Sequence, residues 1–306
     1  MGRGSMSVTG MVVVDKPLGS TSRQAIDVVR RRLKTREIGH AGTLDPLASG
    51  VLVALVGRAK RLQELVVSSK KVYRAKVVLG AVSRTDDAEG PISETLPERW
   101  PDREAIDGAL PRFVGLVRQR PPAFSAIHVG GRRAYEMARQ GEEVEIPERE
   151  VEIVGIEVVA YDPPALTLLV TCSGGTYIRS LARDLGEALG VGGYLGGLCR
   201  ERVGPFELGS AVSPDAIVWQ DIQPLEAVIP RLPGAVRVDL DEGHRERLER
   251  GGPIPVSAIE GEAGVFAGEA QVFAAIGGRI VARVRLDSGG GTFQSAGLLT
   301  SEELRS

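Results

Sequence analysis

The order of apolar and polar residues along the chain indicates strands mixed with helices. The short apolar runs Met11–Asp15 and Val51–Val56 predict buried strands, and Val72–Leu79 alternates as a half-buried strand does. A helix is predicted after Ser20 or Thr21, either of which can serve as its N-cap. The apolar positions of this helix recur at helical spacing and are Ala25, Ile26, Val29 and Leu33.

The middle of the chain adds helices and one antiparallel strand pair. Asp102–Val114, Arg132–Gln140 and Tyr177–Leu189 have helical patterns, whereas Val151–Tyr161 and Ala165–Cys172 read as two strands joined by a tight turn. Because strands and helices do not alternate regularly, the pattern predicts an α+β fold with a mixed, largely antiparallel sheet flanked by helices.

Four weaker segments complete this part of the chain. Arg58–Val67 is predicted to form a short helix, and Phe124–Val129 a strand. Gly39–Gly50 and Gly80–Trp100 are predicted loops, because they are rich in glycine, proline and polar residues.

The composition of the chain changes near Arg231–Pro233, after which glycine is more frequent. We therefore expect two domains, a larger catalytic domain at 7–228 and a small β domain at 229–306. Residues 1–5 resemble a remnant of cloning, with Met6 as the natural start. The short apolar runs of the small domain are Val265–Ala267, Gln271–Ile276 and Ile280–Leu286.

Composition favours an ordinary globular protein of the cytoplasm. Hydrophobic residues make up 42% and charged residues 25%, and we find no apolar run of the roughly 18 residues that a membrane span needs. Only two cysteines occur, without a CxxC motif, which argues against a disulfide scaffold or zinc ribbon. The three histidines lie far apart, so the sequence predicts no metal site.

The charge is distributed unevenly although the net value is only −2. The segment from Lys16 to Lys76 carries 14 basic and 4 acidic residues, whereas the rest of the chain carries 24 basic and 36 acidic residues. This asymmetry predicts a surface that binds a polyanion such as RNA or DNA. The alternative is a solvated helix face without a partner.

The loop GHAGTLDPLASG carries a single carboxylate, Asp45, between Leu44 and Pro46. Its three glycines permit tight turns and the close approach of a ligand. A partly buried carboxylate here would need a cation beside it to stay ionised. The alternative is that Asp45 caps a helix that begins at Pro46.

Several segments resemble the TruB-type pseudouridine synthases, and they occur in the order that this family has them. The resemblance covers Met11 to Leu208 and implies the pseudouridine synthase fold. The matching segments are DKPLGSTS, GHAGTLDPLASGVL, KVYRAKVVLG, RTDDAEG, RPPAFSAIHVGGRRAYEMARQG, CSGGTYIRSLARDLGEALG and LCRERVGPF.

The resemblance implies three catalytic residues. Asp45 would be the catalytic aspartate, Arg179 its ion-pair partner, and Tyr73 would stack on the target base and take part in removing its C5 proton. By residue type alone, Tyr73 could equally be a core tyrosine and Arg179 a surface arginine. His40 would fill the space left by an extruded nucleotide. The expected substrate-binding residues are His40, Gly42, Tyr177, Leu198, Arg30, Arg31 and Lys16.

The implied activity is the isomerisation of uridine to pseudouridine in tRNA, at position 55 of the T arm. It would proceed by base flipping and would need no metal or cofactor, because no redox change occurs. Residues after Leu232 weakly resemble a PUA-type RNA-binding barrel. We expect a monomer without an obligate protein partner. Two alternatives are a guide-RNA-dependent rRNA pseudouridine synthase and a non-catalytic tRNA-binding or tRNA-folding protein.

Overall fold

Two β-sheets organise the protein in a computed structural model. The structure describes residues 8–124, 128–129, 132–133, 137, 146–258, 270–287 and 291–299. A ten-stranded sheet occupies the larger, N-terminal part of the described chain, and a five-stranded sheet lies in the C-terminal part. Two short hairpins are separate from both sheets.

The large sheet and the hairpins contain the first fourteen strands. They are β1 (Gly10–Lys16), β2 (Ile38–Ala41), β3 (Ala48–Val56), β4 (Lys71–Leu79), β5 (Ala81–Ser83), β6 (Ile92–Glu94), β7 (Gly115–Gln119), β8 (His128–Val129), β9 (Arg132–Arg133), β10 (Arg149–Asp162), β11 (Ala165–Cys172), β12 (Gly193–Val203), β13 (Phe206–Glu207) and β14 (Gln223–Pro224). The sheet order is β14-β1-β3-β12-β4-β11-β10-β7, with β2 on β3 and β13 on β12. β3 and β12 pair in parallel, whereas the other described pairs of this sheet are antiparallel.

Helices pack against the two sheets. They are α1 (Ser22–Leu33), α2 (Gln63–Ser68), α3 (Arg103–Ala109), α4 (Ile178–Ala188), α5 (Leu225–Val228) and α6 (Arg245–Glu249). Shorter 3-10 turns occupy Gly57–Leu62, Leu110–Phe113, Leu208–Ser210, Trp219–Asp221, Ile229–Arg231, Glu242–His244 and Val256–Ala258. No helix of the described residues is long and apolar enough to cross a membrane.

α1 shows how local sequence fixes an element that later positions the site. Thr21 accepts from the backbone N–H of Gln24, and the Gln24 side chain accepts from the backbone N–H of Thr21, so the helix begins in a reciprocal cap. It ends at Lys34, whose left-handed backbone lets its N–H bond back to the last turn. The buried stripe packs against Val12 and Val14 of β1.

Both faces of the central strands are buried, which explains their continuous apolar sequence. Val12 and Val14 belong to the cluster under α1, whereas Met11 and Val13 face a second cluster on the other side. That second cluster also contains Phe273 and other residues of the C-terminal sheet, so the two sheets share one apolar core.

The predicted α+β fold with a mixed, largely antiparallel sheet is confirmed, but several predicted boundaries are wrong. The predicted loop Gly39–Gly50 contains β2 and the start of β3, and the predicted loop Gly80–Trp100 contains the β5–β6 hairpin. The predicted helix Asp102–Val114 becomes α3 followed by a 3-10 turn. The predicted helix Arg132–Gln140 begins instead as strand β9, and most of its remainder lies outside the described residues.

The C-terminal sheet contains β15 (Ala235–Leu240), β16 (Ile254–Pro255), β17 (Gln271–Ile276), β18 (Arg279–Leu286) and β19 (Thr292–Leu298), in the order β15-β17-β18-β19-β16. The predicted strands Gln271–Ile276 and Ile280–Leu286 are confirmed. The predicted run Val265–Ala267 lies outside the described residues. The domain boundary between 228 and 229 stays a prediction.

Candidate active site

The loop that carries Asp45 connects β2 to β3 and is held at three points. Ser22, the first residue of α1, accepts from the Leu44 N–H at 2.8 Å and donates to the Leu44 carbonyl at 3.0 Å. The Gly19 N–H donates to the Pro46 carbonyl at 2.8 Å. A turn and then β3 follow Asp45, so the alternative that Asp45 caps a helix is wrong.

Asp45 forms an ion pair with Arg179, as the resemblance implied. The distance from the Arg179 guanidinium to a carboxylate oxygen is 2.9 Å. The Asp45 side chain is 46% exposed, whereas that of Arg179 is only 8% exposed. The cation is therefore fixed within the protein and the carboxylate faces outward, an arrangement suited to a reacting group.

A second carboxylate, Asp87, holds Arg179 from behind. Its distance to the guanidinium is 3.2 Å and its side chain is 2% exposed. The Thr85 hydroxyl donates to Asp87 at 2.6 Å, and the Glu89 N–H donates to it at 3.0 Å. Asp87 lies in the segment RTDDAEG, to which the sequence assigned no role, and its side-chain contacts make it part of the site.

Lys16 lies beside this ion pair but is completely buried. Its ammonium donates to the carbonyls of Pro17 at 3.0 Å and Ser20 at 2.5 Å. Burial lowers the pKa of Lys16, and the charge of Asp45 opposes that change. In this conformation Lys16 has no surface for RNA, so we assign it to the electrostatics of the Asp45 loop and not to a direct phosphate contact.

Tyr73 and Leu198 lie on neighbouring strands next to the Asp45 loop, whose Leu44 belongs to the same apolar cluster. Tyr73 lies on β4 and belongs to the central apolar cluster, against which the partly buried Leu198 of β12 packs. Burial raises the pKa of the Tyr73 phenol, and the charge of Arg200 opposes this rise. Tyr73 therefore presents a ring and a hydroxyl in a mostly apolar setting.

The predicted site residues His40 and Tyr177 lie on separate elements, β2 and the residue before α4. His40 lies on β2 opposite Ala54 and is half-buried, and desolvation lowers its pKa, with a smaller effect from Arg200. Tyr177 precedes α4, and its backbone exchanges hydrogen bonds of 2.8 and 2.9 Å with the Gln119 amide. The neutral form of His40 is therefore favoured at neutral pH.

Comparison with known proteins shows which family the chain resembles. The sequence model for the N-terminal domain of TruB family pseudouridylate synthases matches residues 30–178. A protein of Thermobifida fusca (strain YX) named tRNA pseudouridine synthase B is 44% identical over 275 residues, which cover 87% of this chain and 93% of the relative. A protein of the same name from Mycobacterium tuberculosis (strain ATCC 25618 / H37Rv) is 42% identical over 262 residues, which cover 84% and 88%.

The chain belongs to the TruB family of pseudouridylate synthases. The predicted family and enzyme class are thereby confirmed. A chain in a solved Cbf5–Nop10–Gar1 complex superposes with a TM-score of 0.72 at 22% identity, covering 99% of this chain and 92% of that one. At that identity the likeness shows the fold alone, and it confirms the predicted pseudouridine synthase fold.

Two predicted substrate-binding residues of this TruB family chain lie away from Asp45. Arg30 and Arg31 are in the last turn of α1, roughly 12 Å along the helix from Ser22. Arg30 pairs with Asp27 at 2.5 Å, and Arg31 is exposed. They therefore lie at the opposite end of α1 from the Asp45 loop.

Arg200, like Asp87, was not predicted from the sequence to lie in this region. It is buried, donates to the carbonyls of Val51 at 2.8 Å and Gly42 at 2.9 Å, and lies opposite Tyr73 across β12 and β4. The predicted substrate-binding residue Gly42 has φ +75°, a conformation that favours glycine, and its carbonyl accepts from Arg200. The position of Arg200 in LCRERVGPF carried no signal of these contacts.

The buried Lys71, at the start of β4, leads us to expect that the free energy of unfolding depends on pH. Burial lowers its pKa from 10.5 to about 8, with a further contribution from Arg200. The unfolded chain therefore binds more protons than the folded chain between these values, and stability rises with pH across that window. We expect Lys71→Met to remove this rise, which amounts to roughly 3 kcal/mol.

Urea unfolding of the wild type and the variant at several pH values measures the effect of Lys71. Lys70→Met is the matched control, because Lys70 is an exposed neighbour in a 3.7 Å ion pair with Glu152. The Lys70→Met variant keeps the rise with pH. An unchanged pH profile in Lys71→Met would contradict the prediction.

Proposed function

We propose that this protein isomerises uridine to pseudouridine in tRNA, at position 55 of the T arm. The observation that carries the proposal is the outward-facing carboxylate of Asp45 on a buried, doubly anchored Arg179. The relatives at 42–44% identity are named tRNA pseudouridine synthase B, which supports tRNA as the substrate.

The proposed reaction exchanges one glycosidic bond for another. The bond between N1 of uracil and C1′ of the ribose breaks, the base turns, and C5 bonds to C1′. C5 then loses its proton and N1 gains one, so the product has the same composition as the substrate. Asp45 acts at the sugar or the base during bond exchange, and Tyr73 stacks on the uracil and takes part in removing the C5 proton.

The target uridine must leave its stack to reach Asp45. Extruding a nucleotide costs a few kcal/mol, and stacking on an aromatic ring offsets part of that cost. Tyr73 offers such a ring, and His40 on β2 fills the vacated space in the RNA. Leu198 and Tyr177 complete the walls around the base.

The site of modification is best mapped with purified protein and a tRNA transcript in the absence of guide RNA. Pseudouridine is read as reverse-transcription stops that depend on carbodiimide treatment. A single stop at position 55 supports the proposal. Stops that require an added guide RNA would favour a guide-dependent rRNA enzyme, and RNA binding without any stop would favour a tRNA-binding or tRNA-folding protein.

The basic end of α1 is proposed to hold the RNA backbone. We expect charge reversal of Arg30, Arg31 and Arg32 to weaken T-arm binding and to reduce the slope of log affinity against log salt by about 2 to 3, because each lost phosphate contact removes nearly one unit. Affinity is measured by titration with a labelled stem-loop at several salt concentrations.

The matched control reverses three exposed arginines around α3, namely Arg99, Arg103 and Arg112. Each triple variant contains one arginine in an intrahelical ion pair, since Arg103 pairs with Asp107 as Arg30 does with Asp27. Equal losses in both variants would mean that net charge alone is responsible, and α1 would then not lie on the RNA path.

A further inference from the structure

Arg200 occupies a central place between the elements that carry the proposed catalytic groups. Its strand, β12, lies between β3 and β4, and Arg200 pairs with Gly50 on one side and Tyr73 on the other. Gly50 has φ +98°, and a Cβ there would lie 2.3 Å from the Arg200 carbonyl oxygen. Only glycine therefore lets β12 approach β3 at this point.

The partners of this buried cation are unusual. Within the described part of the chain its guanidinium forms no ion pair with a carboxylate and donates instead to the carbonyls of Val51 and Gly42. Burying an arginine without a counter-ion is costly. The presence of Arg200 at this place is therefore better explained by a role at the site than by a contribution to stability.

The third neighbour of Arg200 is Tyr73, its cross-strand partner on β4. Cross-strand partners hold their side chains within contact distance on one face of the sheet. The nearby Arg200 lowers the pKa of the Tyr73 phenol, against the larger effect of burial. A Cβ on Gly42 would lie 3.5 Å from the guanidinium, so the Asp45 loop passes directly over the same group.

We infer that Arg200 is a positioning residue that joins Tyr73 to the Asp45 loop and favours the ionised phenol, which accepts the C5 proton. The inference rests on the proposed function. Burial alone raises the pKa of Tyr73 and disfavours the phenolate, and the Arg200 charge counteracts this effect. The hydrogen bond from Arg200 to the Gly42 carbonyl holds the Asp45 loop in a fixed position relative to the phenol.

A double-mutant cycle on a T-arm stem-loop tests the inference at saturating RNA under single-turnover conditions. We expect Arg200→Met and Tyr73→Phe each to slow pseudouridine formation by about a hundredfold, as loss of a general base does. The double variant should be no more than about threefold slower than Tyr73→Phe, because Arg200 acts through the hydroxyl. Losses that multiply would overturn the inference, as would an unchanged rate in Arg200→Met.

The pH profile separates positioning from a structural role. In Arg200→Met the rise of the rate with pH, which reports ionisation of the Tyr73 base, should move to higher pH, and Arg200→Lys, which keeps a charge, should move it less. A rise that stays in place would overturn the inference. Arg74→Met is the matched control, since Arg74 is the next residue on β4, is exposed and pairs with Glu201 at 2.6 Å; its rate should stay within about threefold.

A measurement on Tyr73→Phe alone covers the case in which Arg200 variants do not fold. Loss of the hydroxyl should lower the thermal midpoint by a few degrees, because the buried guanidinium loses an acceptor. A midpoint equal to or above that of the wild type would overturn the inference. If the wild type forms no pseudouridine, the proposed function fails, and this unfolding result still decides whether Arg200 holds Tyr73.

Discussion

Asp45→Asn is expected to reduce pseudouridine formation by at least about a thousandfold, the scale of losing an essential reacting group. Asparagine has nearly the same shape but no charge, so it can neither attack nor stabilise positive charge on the sugar. Arg179 stays in place, because Asp87 holds it at 3.2 Å. Affinity for a T-arm stem-loop should therefore remain within about threefold of the wild type, since the RNA-facing surface is unchanged.

Carbodiimide-dependent stops report the product, and titration of a labelled stem-loop reports binding. The control is Asp107→Asn, which neutralises an exposed aspartate that pairs with Arg103 on α3. That variant should form pseudouridine at the wild-type rate. Product at a comparable level in Asp45→Asn would refute the assignment of Asp45 as the catalytic carboxylate.

Arg179→Met is expected to affect both catalysis and folding. It removes the cation between two carboxylates, and Asp87 is left buried with a hydroxyl and an N–H donor but no opposite charge. Breaking a buried ion pair in this way costs about 3 to 5 kcal/mol of unfolding free energy. Asp45 also loses its 2.9 Å partner, so we expect pseudouridine formation to fall below detection.

The double variant Arg179→Met/Asp87→Asn separates the two effects. Neutralising Asp87 should restore most of the unfolding free energy, because no unpaired charge is then buried, but it should not restore activity. Urea denaturation measures the first quantity. Arg103→Met provides the comparison, since its exposed pair with Asp107 should contribute less than about 1 kcal/mol. An unaltered unfolding free energy in Arg179→Met would show that Asp87 does not depend on it.

The parts of the fold that depend on local sequence were predictable. α1 was found because its cap and its apolar stripe lie within a dozen neighbouring residues. β2 was missed because its four residues include Gly39 and His40 and become a strand only through pairing with β3. Its nearest signal, a glycine-rich segment, is also typical of a loop.

The site divides in the same way. The ordered motifs indicated Asp45 and Arg179, and the general need of a carboxylate for a cation supported their pairing. Asp87 and Arg200 were not predicted, since their roles depend on contacts across the sheet with residues far away in sequence. Lys16 was predicted to bind substrate, whereas its side chain is buried and its ammonium donates to carbonyls of its own turn.

The parallel pairing of β3 with β12 has a consequence for biosynthesis. It joins residues such as Ala48 and Leu198, which the ribosome produces at very different times. Contacts between distant parts of a chain form late in folding, because closing the long loop between them costs entropy before the contact stabilises the structure. A nascent chain that already displays Asp45 therefore lacks Arg179, Arg200 and the strand that aligns them. We therefore expect the nascent enzyme to be inactive until β12 has been made and has paired with β3.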